Sequence, residues 1–219
     1  MRHMRIDIYS DTVCPWCYLG KRRFELALAA RPQYEPRVTW RPFELNPDMP
    51  AEGVDRAAYL AGRIGTPERV AEAHAELERQ GGASGIEFRF DLIQCMPNTR
   101  RSHLLMAHAT RCGRQTAVMD RVMRAYFEEG RDIGDIEVLV RVGVEAGLPE
   151  YETRSALILR AGQDGVIAAE RHAAVLGITG VPTFVFDGQY TISGAQEVGT
   201  FARVLDQVAD FAAARDEVS

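Results

Sequence analysis

Two cysteines separated by two residues lie where a strand is expected to end and a helix to begin. Residues 5–9 alternate apolar and polar side chains, as a strand does, and residues 15–30 repeat apolar side chains at three- and four-residue steps, as a helix does. Pro15 suits a first helical turn, where its missing N–H needs no partner. The spacing therefore predicts that Cys14 and Cys17 share the first turn of a helix, with sulfurs close enough to form a disulfide.

This placement predicts redox chemistry. In thiol–disulfide exchange one thiolate attacks a disulfide and a second thiol resolves the mixed disulfide. A helix N-terminus favours a thiolate, so Cys14 is the expected nucleophile and Cys17 the resolving thiol. Between them, Pro15 and Trp16 are expected to contact substrate, with Trp16 partly exposed. The alternative, half of a zinc site, would need two further ligands. No second close cysteine pair exists and the five histidines are scattered, so no metal is expected.

The remaining pattern predicts an α/β protein. A second strand over residues 37–43 completes a βαβ unit, whose two strands should be parallel. A mostly helical block follows over residues 55–159, then a helix over 164–176, a β-hairpin turning at Asp187-Gly188, and a closing helix over 195–215. Without the helical block, this is the element order of a thioredoxin fold.

The Val181-Pro182 dipeptide, between Gly180 and Thr183, precedes the first strand of the hairpin. By itself it is typical of an ordinary trans proline that bounds a strand. Together with the cysteine pair, however, it resembles the thioredoxin superfamily. The resemblance implies a cis bond close to the cysteines and a Val181 backbone that is free to pair with an extended substrate.

Further motifs resemble the FrnE-like subgroup of DsbA-family oxidoreductases. They are YSDTVCPWCYLG at 9–20, WRPFELNP at 40–47, Asn98-Thr99 with His103, and GITGVPTF at 177–184. The resemblance implies a thioredoxin fold with a large helical insertion: a discontinuous thioredoxin-like domain over 1–50 and 164–219, and an inserted helical domain over 51–163. It also implies exchange of the Cys-Pro-Trp-Cys pair with protein or peptide thiols and disulfides, without a cofactor.

The same resemblance implies roles for two polar residues. Asp7 would be a buried acid beneath the disulfide that relays the Cys17 proton; the alternative is an exposed strand position. Asn98 would belong to a site for a small thiol such as glutathione, as co-substrate, or would be a plain helix cap. The periplasmic DsbA has a histidine between its cysteines. Trp16 brings no charge to stabilise the Cys14 thiolate, so a weaker oxidant is expected.

Glutathione-dependent relatives supply an alternative function. The 2-hydroxychromene-2-carboxylate isomerases and kappa-class glutathione transferases resemble this chain in architecture. In them a serine typically stands where Cys14 stands, and it activates glutathione. The presence of both cysteines favours disulfide exchange.

Composition narrows the partners and the compartment. The net charge of -5 over 219 residues argues against a general nucleic-acid binder. No apolar run approaches the roughly 20 residues that cross a bilayer, and no signal peptide is evident, so a cytoplasmic protein is expected. Cys95 and Cys112 are expected to be buried, inert thiols, with a second disulfide as the alternative. His103 and His108 are expected at the surface or as capping residues.

Overall fold

The computed structural model describes residues 4–216, with side chains described as far as residue 211. The elements in chain order are β1 (Arg5–Ser10), α1 (Pro15–Ala29), β2 (Arg37–Pro42), β3 (Val54–Asp55), α2 (Arg56–Arg63), α3 (Pro67–Ala83), a 3₁₀ turn (Phe90–Leu92), β4 (Cys95–Met96), α4 (Arg100–Arg111), α5 (Gln115–Phe127), α6 (Ile136–Glu145), α7 (Glu150–Ile158), α8 (Gln163–Val175), β5 (Thr183–Phe186), β6 (Tyr190–Ser193) and α9 (Val198–Asp216). This order agrees with the predicted one.

The main sheet has four strands in the order β2-β1-β5-β6. β1 is parallel to β2, as the βαβ prediction requires, and antiparallel to β5. β5 and β6 form the predicted hairpin, in which Asp187 and Gly188 have φ values of 49° and 71°. Both values lie in the left-handed region, which a tight hairpin turn demands and which Asp-Gly readily adopts. β1 is therefore central, and its C-terminal end delivers the chain to the cysteine pair.

Alternate residues of β1 face opposite sides of the sheet. Ile6 and Ile8 belong to the main hydrophobic core, together with Phe24 of α1. Tyr9 instead packs with Ala173 of α8 in a second, smaller cluster. The pleat of a strand imposes this division, and it decides which β1 side chains lie near the cysteines.

Helices α2 to α7 form the block between β2 and α8, and the small β3–β4 pair lies within this block. The buried side chains of the block continue without a break into those beneath the sheet: Leu105, Val122 and Leu139 belong to the same core as Ile8. The division into residues 1–50 plus 164–219 and 51–163 stays a prediction, and residues 1–3 and 217–219 lie outside the described part. No helix within residues 4–216 is long and apolar enough to cross a membrane.

Four expectations about single residues were wrong. Cys95 is half-buried and Cys112 is exposed, and both are free thiols. His103 and His108 are buried rather than at the surface. The burial of the two histidines has its cause in the tertiary packing. Helix α4 packs against α5, α6, α7 and α8, so it has buried side chains around much of its circumference.

Candidate active site

The cysteine pair lies at the start of α1, as predicted. Cys14 is the residue that caps the helix, and its carbonyl accepts the N–H groups of Cys17 at 3.0 Å and Tyr18 at 3.2 Å. The Cys14 N–H in turn donates to the Asp11 carbonyl at 3.2 Å. Both cysteines are buried free thiols. The turn from β1 into α1 is therefore a hydrogen-bonded unit that presents two thiols at a helix N-terminus.

The Val181–Pro182 loop lies against this pair. The peptide bond is cis, as the resemblance implied. The Cys14 thiol donates to the Val181 carbonyl over 3.9 Å, although the two residues are 167 positions apart. Pro182 also packs on α1: a Cβ added to Gly20 would lie 3.0 Å from the proline Cγ. In the part of the chain that the structure describes, the Val181 N–H has no backbone partner. The backbone of Val181 is thus available for an extended chain.

Cys17 is the more deeply placed thiol. Burial raises its pKa well above the ordinary value, and a hydrogen bond with Cys14 and the charge of Cys14 raise it further. The Ser10 hydroxyl and the Asp11 backbone N–H act in the opposite direction, because both stabilise the thiolate. Cys17 is therefore held as a neutral thiol at neutral pH, beside two groups that favour its ionisation.

Asp7 is buried, as the resemblance implied. Its carboxylate is ion-paired with Arg41 at 2.8 Å and with Arg5 at 3.3 Å. It shares a sheet face with Tyr9, whereas α1 packs on the face of Ile8. Alternation along β1 therefore places Asp7 on the sheet face opposite to the one on which α1 packs, and its role as a proton relay for Cys17 stays a prediction. Ser10, on the face of Ile8, is the β1 residue whose hydroxyl lowers the pKa of Cys17, and alternation counted from Ile8 could have indicated it.

Asn98 is engaged in holding the start of α4. Its amide nitrogen donates to the Met49 carbonyl at 2.6 Å, and its side-chain oxygen accepts the Arg100 N–H at 2.9 Å. The structure thus agrees with the alternative of a helix-start residue, although Thr99 is the N-cap itself.

The surface around the pair combines an exposed aromatic residue with a groove. Trp16 is 41% exposed and Pro15 is half-buried, as expected for residues that meet a substrate. A cavity of about 820 Å³ runs beside the Val181–Pro182 loop, and Asp7, Tyr9 and Arg41 line its wall on the sheet. No group of three or more His, Cys, Asp or Glu side chains within the described residues could hold a metal ion.

The main sheet has four strands, with the helical block inserted between β2 and β5, and the cysteine pair faces a cis-proline loop. These features define a protein of the thioredoxin fold. Residues 5–206 match the model of the DSBA-like thioredoxin domain, and the chain belongs to this family.

Solved structures agree with this assignment. A probable DsbA oxidoreductase from Streptomyces coelicolor is 39% identical, with a TM-score of 0.86 over 94% of this chain and 90% of that one. Two others share the fold at lower identity. The cytosolic disulfide reductase DsbM from Pseudomonas aeruginosa with GSH is 20% identical, with a TM-score of 0.66 over 97% of this chain and 99% of its own. A 2-hydroxychromene-2-carboxylate isomerase is 18% identical, with a TM-score of 0.71 over 98% and 99%.

Proposed function

We propose that this protein is a thiol–disulfide oxidoreductase of the FrnE-like subgroup that exchanges its Cys14–Cys17 pair with disulfides in proteins or peptides. One observation carries the proposal: the Cys14 sulfur lies 3.9 Å from the Val181 carbonyl of the cis-proline loop, and Cys17 is the more deeply buried thiol with a raised pKa. This arrangement separates an attacking thiol from a resolving one.

The reaction that fits this geometry has two steps. The Cys14 thiolate attacks a substrate disulfide, a Cys14–substrate disulfide forms, and the first substrate sulfur leaves as a thiolate that takes up a proton. Cys17 then gives up its proton and attacks the Cys14 sulfur, and the second substrate sulfur leaves and is protonated. The substrate is reduced to two thiols and the pair is oxidised to a disulfide. The reverse sequence oxidises a substrate dithiol.

An extended substrate segment fits beside the pair. The unpaired Val181 N–H offers a backbone hydrogen bond to an added strand. Trp16 and Leu45 are each 41% exposed and supply apolar surface near the thiols. We therefore expect unfolded or extended segments around a disulfide to be preferred over compact folded domains.

Trapping of the mixed disulfide tests the assignment of roles. Cys17→Ser lacks the resolving thiol, so it should accumulate a disulfide between Cys14 and a substrate such as insulin. Cys14→Ser should accumulate few such adducts, because its remaining thiol is buried and its pKa is raised. The adducts are counted by non-reducing electrophoresis and mass spectrometry, with wild-type insulin reduction measured alongside. Trapping mainly by Cys14→Ser would reverse the roles, and insulin reduction at an equal rate by wild type and Cys14→Ser would contradict the proposal.

Glutathione is the small thiol that we propose as co-substrate, since a structural relative was solved with GSH. That reductase is named as cytosolic. If this protein has the same location, reduction or isomerisation is favoured over net oxidation. The measurement is the equilibrium of the Cys14–Cys17 pair in glutathione buffers. If Cys14→Ser instead binds glutathione and isomerises or conjugates an electrophilic aromatic compound, the glutathione-dependent alternative replaces the oxidoreductase.

A further inference from the structure

A pair of buried ionisable side chains lies directly behind the redox loop. The Asp11 side chain has no exposed surface and that of His103 is 1% exposed, and His103 Nε2 is 3.3 Å from Asp11 Oδ1. Among the described residues neither atom has a hydrogen-bond partner, so the contact between them is one of charge rather than a hydrogen bond. Burying polar atoms without partners is costly, so these two groups depend on one another.

Asp11 connects this pair to both cysteines. Its carbonyl accepts the Cys14 N–H, and its own N–H stabilises the Cys17 thiolate. Its second carboxylate oxygen, Oδ2, accepts the Leu45 N–H at 2.7 Å. Asp11 thus contacts the redox pair through its backbone. Its carboxylate is held by the Leu45 N–H, in the loop after β2, and by His103 of α4.

Among the described residues, Asp11 is the acidic side chain within 4 Å of a His103 ring nitrogen. Glu170 of α8 interacts electrostatically with both members of the pair, and one of its oxygens is buried without a partner. Burial and the nearby Glu44 raise the pKa of Glu170. Arg100 forms a two-pronged contact with Glu44 and lies 3.8 Å from Glu170, so its charge is directed there. His103 is therefore the group that faces the Asp11 carboxylate.

We propose that His103 is a positioning residue that acts through Asp11 on Cys17 and sets the rate of the resolving step. Loss of the imidazole removes the polar group that faces the buried Asp11 Oδ1, which is unfavourable for this carboxylate oxygen. The loop then shifts so that this oxygen reaches water, and the Asp11 N–H leaves the Cys17 sulfur. The Cys17 thiolate, which the second step requires, loses a stabilising donor. The first step changes little, because Cys14 attacks from the helix N-terminus.

This inference rests on the proposed function. The test uses oxidised glutathione as the probe and measures attack by Cys14 and resolution by Cys17 separately. Rapid mixing, acid quenching and mass spectrometry follow formation and decay of the glutathione adduct on Cys14. The first step is measured in a Cys17→Ser background and the second with Cys17 present. The variants are His103→Leu, which has no donor, and His103→Gln, whose amide reaches the place of Nε2. His108→Leu is the matched control, because His108 is also buried on α4 but contacts Arg111 and Cys112.

We expect His103→Leu to slow the second step by about tenfold, the loss that about 1.4 kcal/mol in the barrier produces, and to leave the first step within twofold. His103→Gln should fall between His103→Leu and wild type, and His108→Leu should match wild type in both steps. An unchanged second step in His103→Leu, or an equal loss in both steps, would overturn the inference. Should His103→Leu not fold, His103→Ala takes its place, and an unchanged second step in that variant would overturn the inference. If wild type forms no adduct at all, the proposed function fails rather than the role of His103.

Discussion

Gly20 lies on the side of α1 that meets the Val181–Pro182 loop, one turn beyond the redox pair. A Cβ at this position would be 3.0 Å from Pro182 Cγ and 3.4 Å from the Ala195 backbone. The Pro182 loop and the segment at Ala195 therefore both pack against Gly20. The lack of a side chain at residue 20 sets how near the proline loop can approach the thiols.

Gly20→Ala should therefore impair disulfide exchange. Alanine favours a helix by about 1 kcal/mol over glycine, but the forced contact costs about 1–3 kcal/mol, so we expect a net destabilisation of about 1 kcal/mol. Displacement of Pro182 should lower the rate of insulin reduction several-fold. Gly82→Ala is the control, because Gly82 also lies in a helix with nothing within 4 Å of its Cβ position. It should raise the free energy of unfolding by up to about 1 kcal/mol with normal activity; normal activity in Gly20→Ala would refute the close approach.

At the scale of elements, a buried lysine joins the redox helix to the helical block. Lys21 of α1 is almost fully buried, and its ammonium lies 2.7 Å from both Glu25 of the same helix and Asp120 of α5. The two carboxylates are partly exposed, so each retains contact with water. The interaction ties α1 to α5 by one cation shared between two anions.

We expect Lys21→Ala and Asp120→Asn to differ sharply in stability. Lys21→Ala empties a buried site and leaves two carboxylates near one another; the cavity alone should cost about 3 kcal/mol. Asp120→Asn leaves Lys21 paired with Glu25, and should cost less than about 1 kcal/mol because Asp120 is half-exposed. Urea denaturation measures both. Equal losses would show that the α1–α5 ion pair, and not burial of the lysine, dominates.

For the whole molecule, stability at mildly acidic pH is expected to depend on His74. Its imidazole stacks on Phe90 with a centroid distance of 4.2 Å and contacts the Arg56 guanidinium. Burial, and then the charge of Arg56, lower its pKa from 6.5 to about 4. Between these pH values the unfolded chain binds more protons than the folded one. The contribution of His74 to stability is therefore present above pH 6.5 and is lost as pH falls towards 4.

His74→Gln should flatten this part of the pH profile. The variant cannot take up the proton, so its melting temperature should fall less than that of wild type between pH 7 and pH 4.5. His172→Gln, at an exposed position of α8, should follow the wild-type profile. A His74→Gln profile parallel to wild type would mean that His74 is not protonated on unfolding in this range.

Local sequence patterns were sufficient to predict the secondary-structure elements and the position of the Cys14–Cys17 pair. Alternation over β1, the proline at the start of α1 and the Asp-Gly turn each specify a backbone conformation through neighbouring residues, so strand, helix and hairpin appear where they were predicted. The assignment of Cys14 and Cys17 to a helix start follows from the same local signals. The errors concern side chains whose surroundings come from distant segments, such as Cys112, His103 and His108.

The amino-acid sequence by itself thus determined the order of elements, the family motifs and the position of the two thiols, because each depends on contacts within a few residues. Tertiary structure alone decided that Val181 meets Cys14 across 167 positions, that Asp7 pairs with Arg41 and that His103 lies against Asp11. These outcomes depend on which sheet face each strand residue takes and on how α4 packs beside the redox loop. Burial and pairing over such distances are properties of the packed core, which no local propensity encodes.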